Sequence, residues 1–186
     1  MMKKIALLLI DIQKVFCEDN PIGSKKHRKI IPHVIKLLKK CREKGIPIIH
    51  IKWMVHKNVN TMPRRRVEKN ETDWCRDKEG AGPAVKELEV KDGEYLVTKS
   101  TYSGFYDTGL DALLKKLGVK SLILTRISTH VCVFATALDA TYRGYRVIVP
   151  RECVSSKRKI SYEETLRNID KNIGDVLSLK QVLGMV

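Results

Sequence analysis

Short apolar runs alternate with stretches of helical periodicity along this chain of 186 residues. The apolar runs predict buried strands at residues 4–10, 47–51, 95–98, 121–125 and 145–149. Apolar positions at helical spacing predict helices at about residues 30–44, 110–117, 131–143 and 163–173. A helical turn is predicted at residues 84–88, and a short strand and a terminal helical turn within residues 174–185. This alternation predicts an α/β fold of three layers, a doubly wound and mostly parallel sheet with helices on both faces.

A single domain is predicted to span residues 1–186, since no linker, repeat or low-complexity segment divides the chain. Residues 54–83 lack clear periodicity and carry Asn, Pro, Gly and charged residues. Irregular segments of this length in a compact domain usually form part of a binding site or an interface. We therefore expect this segment to decide specificity, and to receive residues from a neighbouring subunit if the protein is an oligomer.

The chain carries a formal net charge of +15, with basic clusters at residues 25–29, 64–66 and 157–159. Such a charge invites a nucleic-acid-binding interpretation. No signature of a known nucleic-acid-binding module is present, and aromatic residues make up only 6% of the chain. A solvated basic surface is therefore the favoured interpretation, and nucleic-acid binding is kept as the alternative.

Membrane insertion and disulfide bonding both find little support in the sequence. The first apolar run ends at Asp11, and no apolar stretch approaches the ~20 residues that cross a bilayer. The five cysteines form no C-x-x-C pair, which argues against a disulfide framework and a structural zinc site. We expect a cytoplasmic protein without a membrane partner.

Three reactive residues follow predicted strands: Asp11, Lys99 and Cys132. In an open α/β sheet, ligands bind beyond the carboxyl ends of the strands, so these side chains are expected on one rim. Cys132 comes just before a predicted helix, where free N–H groups and the helix dipole favour a thiolate. A free cysteine is more commonly a small, buried apolar residue without a catalytic role. Together, however, the three residues offer a nucleophile, a base and a cation.

Three motifs carry these residues in chain order. They read Leu9-Ile-Asp11-Ile-Gln13, then Val97-Thr-Lys99-Ser-Thr-Tyr102-Ser-Gly-Phe105, then Thr129-x-x-Cys132-Val133-x-x-Thr136-x-x-Asp139-Ala140-x-x-x-Gly144-Tyr145. The chain from residue 5 to about residue 156 thereby resembles the isochorismatase-like cysteine hydrolases. Trp74 and the following Gly-Ala-Gly-Pro stretch resemble the N-carbamoylsarcosine amidase branch of that family.

This resemblance implies a triad in which Cys132 attacks an amide carbonyl and forms a thioester. Asp11 would take the thiol proton and later help to activate water, and Lys99 would position both groups by charge. The oxyanion would rest on the backbone N–H of Cys132 and of a neighbour in Ser128 or Thr129. Family members carry a cis peptide before this turn, which falls here at Ile127–Ser128.

Phe16, Trp74, Tyr102 and Arg126 are the expected substrate-binding residues. The family usually has glycine where this chain has Arg126. A large cation there has three possible fates: it fills part of the pocket, binds a substrate carboxylate, or turns away into a salt bridge. The arginines at residues 64–66 are further candidates for binding a carboxylate.

The nicotinamidase branch binds a metal through an Asp-x-His motif that this chain lacks after its second strand. His50 and His56 alone are weak evidence for a metal, so we expect no catalytic metal and no cofactor. The sequence predicts a cysteine hydrolase that cleaves a C–N bond of a small amide, carbamoyl or ureido compound. A homo-oligomer, dimer or tetramer, is implied by the family. The alternative is a basic protein that binds nucleic acid or other anions on an inactivated hydrolase scaffold.

Overall fold

The computed structural model describes residues 4–54, 82–127 and 129–186. Seven strands form one sheet: β1 (Ile5–Ile10), β2 (Ile48–Trp53), β3 (Tyr95–Lys99), β4 (Ser121–Ile127), β5 (Arg146–Pro150), β6 (Val154–Ser155) and β7 (Asp175–Leu177). Their order is β3-β2-β1-β4-β5-β7, with β6 paired to the end of β4. All of these strand pairs are parallel, as the alternation of strands and helices predicted.

The central strands are continuously apolar because both of their faces are covered. Every residue of β1 is buried, and successive side chains point to opposite faces of the sheet. Leu7 and Leu9 join the core on one face, whereas Leu8 and Ile10 join the core on the other. A strand of this kind lacks the apolar–polar alternation of a half-exposed strand.

Helices pack against both faces of the sheet. They are α1 (Ile31–Glu43), α2 (Leu110–Lys116), α3 (Phe134–Tyr142), α4 (Lys159–Asn172) and α5 (Leu179–Leu183). Buried residues of α1 and α5 belong to the core of one face, and those of α2, α3 and α4 to the core of the other. The predicted three-layer, doubly wound architecture is therefore confirmed.

The structure extends some predicted elements. Strand β4 continues two residues beyond its predicted end, to Ile127, because the parallel strand β6 pairs with its carboxyl end. Helix α4 begins at Lys159, four residues before its predicted start. Its first turn is exposed, with Ile160 at 72% exposure, so no buried face marks it in the sequence.

Within residues 4–54, 82–127 and 129–186, no helix is both long and apolar enough to cross a membrane. No cis peptide bond occurs in the part of the chain that the structure describes. The predicted cis bond at Ile127–Ser128, the substrate-binding Trp74 and the arginines at residues 64–66 fall wholly or partly outside the described residues.

Candidate active site

Asp11 lies directly after β1 in a backbone conformation that few side chains adopt. Its φ is +48°, in the left-handed region that Asp and Asn tolerate better than other non-glycine residues. The Asp11 N–H donates to the Ile51 carbonyl at 2.8 Å, which holds this turn against the end of β2. The carboxylate is fully buried. A strained backbone that positions a buried charge is a feature of functional sites.

Lys99, the last residue of β3, reaches this carboxylate. Its Nζ lies 2.9 Å from Asp11 Oδ2, and neither side chain has exposed surface. The same Nζ donates to the Thr101 carbonyl at 2.9 Å. Strand alternation puts Lys99 on the face of Val97, against the core that α2, α3 and α4 cover. The ammonium group is therefore fixed in position by both partners.

Cys132 completes the group, in a π-helical turn that spans Thr129–Val133 and leads into α3. Lys99 Nζ donates to the sulfur at 3.6 Å, and Cys132 is only 5% exposed. Three residues separated by as many as 121 positions thus meet at the carboxyl ends of β1, β3 and β4. This is the rim where the sequence predicted them.

Arg126 forms a salt bridge, but this bridge points into the cluster of reactive residues rather than away from it as the third prediction had it. It lies near the end of β4 on the face shared by Leu122 and Leu124, and its side chain is 3% exposed. One guanidinium nitrogen, Nη2, lies 2.7 Å from Asp11 Oδ2. The buried Arg126 cation therefore contacts the candidate base itself.

The Cys132 thiol differs from the sequence expectation of an acidic cysteine. Burial raises its pKa above the ordinary value, and this effect exceeds the lowering by Arg126 and Lys99. The charge of Asp11 and a hydrogen bond between the thiol and its carboxylate raise the pKa further. The helix-dipole argument missed this because the thiol is enclosed rather than placed at an open helix end. The site at rest thus holds a neutral thiol beside a carboxylate.

Phe16, a predicted substrate contact, is 3% exposed and stacks on Trp53, with 5.7 Å between ring centroids. Gln13 exchanges two hydrogen bonds with the Trp53 backbone, at 2.9 and 3.2 Å. The Trp53 indole donates to the Ser100 carbonyl at 3.2 Å, next to Lys99. Sequence reasoning missed Trp53 as a part of this rim. Its place at the end of β2, in register with Lys99, was the available signal.

The remaining predicted site residues are placed as follows. Tyr102 is partly buried and packs against the core next to the Lys99 loop. Ile127 is fully buried at the end of β4. Thr129 opens the turn that carries Cys132. Ser128, which the sequence assigned to the oxyanion site, lies outside the described residues.

His50, one of the two histidines weighed as metal ligands, lies in a charged network away from the thiol. Its Nε2 is 2.7 Å from Glu94 Oε2, and Arg42 Nε is 2.6 Å from Glu94 Oε1. Burial lowers the pKa of His50, and the interactions with Glu94 only partly oppose this effect. His56 falls outside the described residues. These contacts give His50 a structural role between α1, β2 and the segment before β3.

Comparison with known proteins places this geometry in a family. Residues 5–181 match the family whose shared feature is the isochorismatase domain. The isochorismatase family protein YaaI of Bacillus subtilis is 31% identical over 152 residues, which cover 81% of this chain and 80% of that protein. N-carbamoylsarcosine amidase from an Arthrobacter species is 25% identical over 196 residues, 96% of this chain and 69% of its own length.

A solved structure shows the same likeness in three dimensions. An isochorismatase-like hydrolase from Alkaliphilus metalliredigens has a TM-score of 0.87 to this chain, at 28% identity over 97% of each chain.

Proposed function

The chain belongs to the isochorismatase family, and we propose that it is a cysteine amidohydrolase that cleaves a C–N bond of a small molecule. One observation carries this proposal: the Lys99 ammonium lies 2.9 Å from the Asp11 carboxylate and 3.6 Å from the Cys132 sulfur. A nucleophile, a proton acceptor and a cation in mutual contact are the groups that thiol catalysis requires.

The first half-reaction forms a thioester. Cys132 Sγ attacks the amide carbonyl carbon while the thiol proton passes to Asp11, which is within hydrogen-bonding reach of it. The negative charge that develops on the carbonyl oxygen is stabilised by backbone N–H groups of the turn at Cys132. The C–N bond then breaks, and the amine leaves with the proton that Asp11 had taken. Lys99 keeps the sulfur and the carboxylate in contact throughout.

The second half-reaction releases the acid. A water molecule attacks the thioester carbonyl, and Asp11 accepts a proton from it. The C–S bond breaks, the sulfur recovers that proton as a thiol, and the product leaves as a carboxylic or carbamic acid. Because Asp11 ends the cycle as it began, no cofactor is needed for these steps.

The proposed substrates are small amides, N-carbamoyl amino acids and ureido acids. The similarity to an N-carbamoylsarcosine amidase along nearly the whole chain supports this class. The buried Phe16 and Trp53 rings stack on each other, and the Trp53 indole holds the Lys99 loop through the Ser100 carbonyl.

Ammonia release from a panel of these compounds, followed for the wild type and for Cys132→Ala, tests the proposal. We expect turnover of at least one compound by the wild type and none by the variant. Rapid quenching and mass spectrometry should then show an acyl adduct on the peptide that contains Cys132. Equal ammonia release by the variant would contradict the proposed mechanism.

We also propose that the chain forms a homodimer or homotetramer. Several large apolar side chains are exposed on its surface: Val90, Leu96, Tyr106, Tyr142 and Ile160. Light scattering measures the mass in solution directly. A mass of 21.3 kDa, that of one chain, at micromolar concentration contradicts this proposal.

Anion binding remains a second candidate function, because the fold joins two of the basic clusters. His27 Nδ1 lies 2.6 Å from Ser155 Oγ, and Lys157 Nζ donates to the Asn20 carbonyl at 3.0 Å. Exposed lysines and arginines of residues 25–29 and 157–159 thereby share one surface. Binding of single-stranded RNA that weakens steeply with salt, together with an unreactive Cys132, would favour this function over hydrolysis.

A further inference from the structure

Arg126 and Lys99 approach the same atom of the candidate base. The guanidinium Nη2 lies 2.7 Å and the ammonium Nζ 2.9 Å from Asp11 Oδ2. All three side chains are almost completely buried. Both cations therefore hold one oxygen of the Asp11 carboxylate, and this carboxylate is hydrogen-bonded to the Cys132 thiol.

The charges of this cluster are unequal while the thiol is neutral. Among the residues that the structure describes, two buried cations, Lys99 and Arg126, face one buried anion, Asp11. When Cys132 loses its proton to solvent, as in alkylation without substrate, these two cations face two anions and the four charges balance. Without Arg126, the same ionisation would leave two anions with only one cation. An uncompensated charge is costly in a buried site, where charges interact strongly and water is excluded.

We propose that Arg126 is a positioning residue of this site, which anchors the Asp11 carboxylate and supplies the positive charge that offsets a Cys132 thiolate. This inference rests on the proposed role of Cys132 as the nucleophile. Arg126 acts through Asp11 and Cys132 rather than through contact with the substrate.

The charges around the sulfur support this role. Among the described residues, Asp11, Lys99 and Arg126 are charged groups that act on Cys132, and Arg126 contributes more than Lys99 to lowering the pKa of the thiol. Burial raises this pKa and so opposes the effect of both cations. Removing the guanidinium removes the larger of the two lowering effects, so the thiol should ionise only at higher pH.

The test is the pH dependence of Cys132 alkylation by iodoacetamide, measured by mass spectrometry of the Cys132 peptide without any substrate. The variants are Arg126→Met, which removes the charge, and Arg126→Lys, which keeps it. Arg146→Met is the matched control, because Arg146 is an exposed arginine at the amino end of β5 that pairs with Asp175. Arg126→Gln replaces Arg126→Met if the methionine variant does not fold.

We expect the alkylation profile of Arg126→Met to move to higher pH, with a rate about tenfold lower at neutral pH for each unit of the shift. Arg126→Lys should retain most of the wild-type rate, and Arg146→Met all of it. An unchanged profile in Arg126→Met, or an equal loss in Arg126→Lys, overturns the inference. Because no substrate is used, a failed substrate screen does not affect this result.

Discussion

Lys99 Nζ lies 2.9 Å from Asp11 Oδ2 in a contact with no exposed surface on either side chain. A buried ion pair contributes little net stability, because desolvation offsets most of the attraction. Removing one partner is nevertheless costly when the other charge is left alone. Arg126 also lies 2.7 Å from this oxygen, so removing Asp11 and removing Lys99 should have different effects on stability.

Asp11→Asn should destabilise the fold more than Lys99→Met. The first change removes the carboxylate that both Lys99 and Arg126 contact in the buried site, at a cost of about 3–5 kcal/mol in the free energy of unfolding. The second leaves Asp11 paired with Arg126 at 2.7 Å, so its cost is smaller. Urea unfolding of both variants measures the difference. Equal losses would show that Arg126 does not compensate Asp11.

Cys132→Ala should lower turnover by at least about 1,000-fold while the fold is kept, because the variant has no nucleophile. The matched control is Cys41→Ala, which removes another buried thiol in α1, away from the site. The control should keep its activity and lose only stability. Kinetics and circular dichroism of both variants separate the two effects, and comparable turnover in the two variants is the contrary outcome.

Alkylation of Cys132 should be slow at neutral pH and rise with pH, because burial raises the pKa of the thiol. Asp11 also raises this pKa, so Asp11→Asn should shift the alkylation profile to lower pH. Lys99 lowers it, so Lys99→Met should shift the profile to higher pH. Mass spectrometry of the Cys132 peptide gives both profiles. Shifts in the same direction would mean that these charges do not control the thiol.

Stability in acid should depend on Glu94. Burial acts to raise the pKa of this carboxyl, but hydrogen bonds from Arg42, from the Lys91 backbone and from His50 outweigh it and lower the pKa from 4.5 to about 2. The folded pKa is thus below the unfolded one, so the stabilisation is complete above about pH 4.5 and is lost as the pH falls towards 2.

Glu94→Gln should therefore cost on the order of 2 kcal/mol near neutral pH, and much less at pH 3. The matched control is Glu43→Gln, since Glu43 is exposed at the end of α1. Thermal unfolding between pH 3 and pH 7 measures the free-energy difference. A cost that is independent of pH would contradict the conclusion that these hydrogen bonds stabilise the ionised carboxylate of Glu94.

Much of the candidate site could be predicted because parallel strands end on a common rim. Asp11, Lys99 and Cys132 each follow an apolar run, and a parallel sheet brings those ends together whatever the chain length between them. The contacts of Arg126 could not be predicted in the same way. Its three possible fates differ only in side-chain direction, which depends on atoms of β1 that are distant in the sequence.

The sequence by itself determined the order of the strands and helices, the burial of both sheet faces and the strand ends that carry reactive groups, because these follow from local periodicity. Tertiary structure alone decided that Arg126 binds Asp11, that Trp53 stacks on Phe16 and that His50 binds Glu94. It also decided the protonation of Cys132, since burial raises the pKa of the thiol, whereas the helix dipole that the sequence suggested would lower it. Such contacts depend on the packing of side chains from distant segments, for which a sequence has no periodic signal.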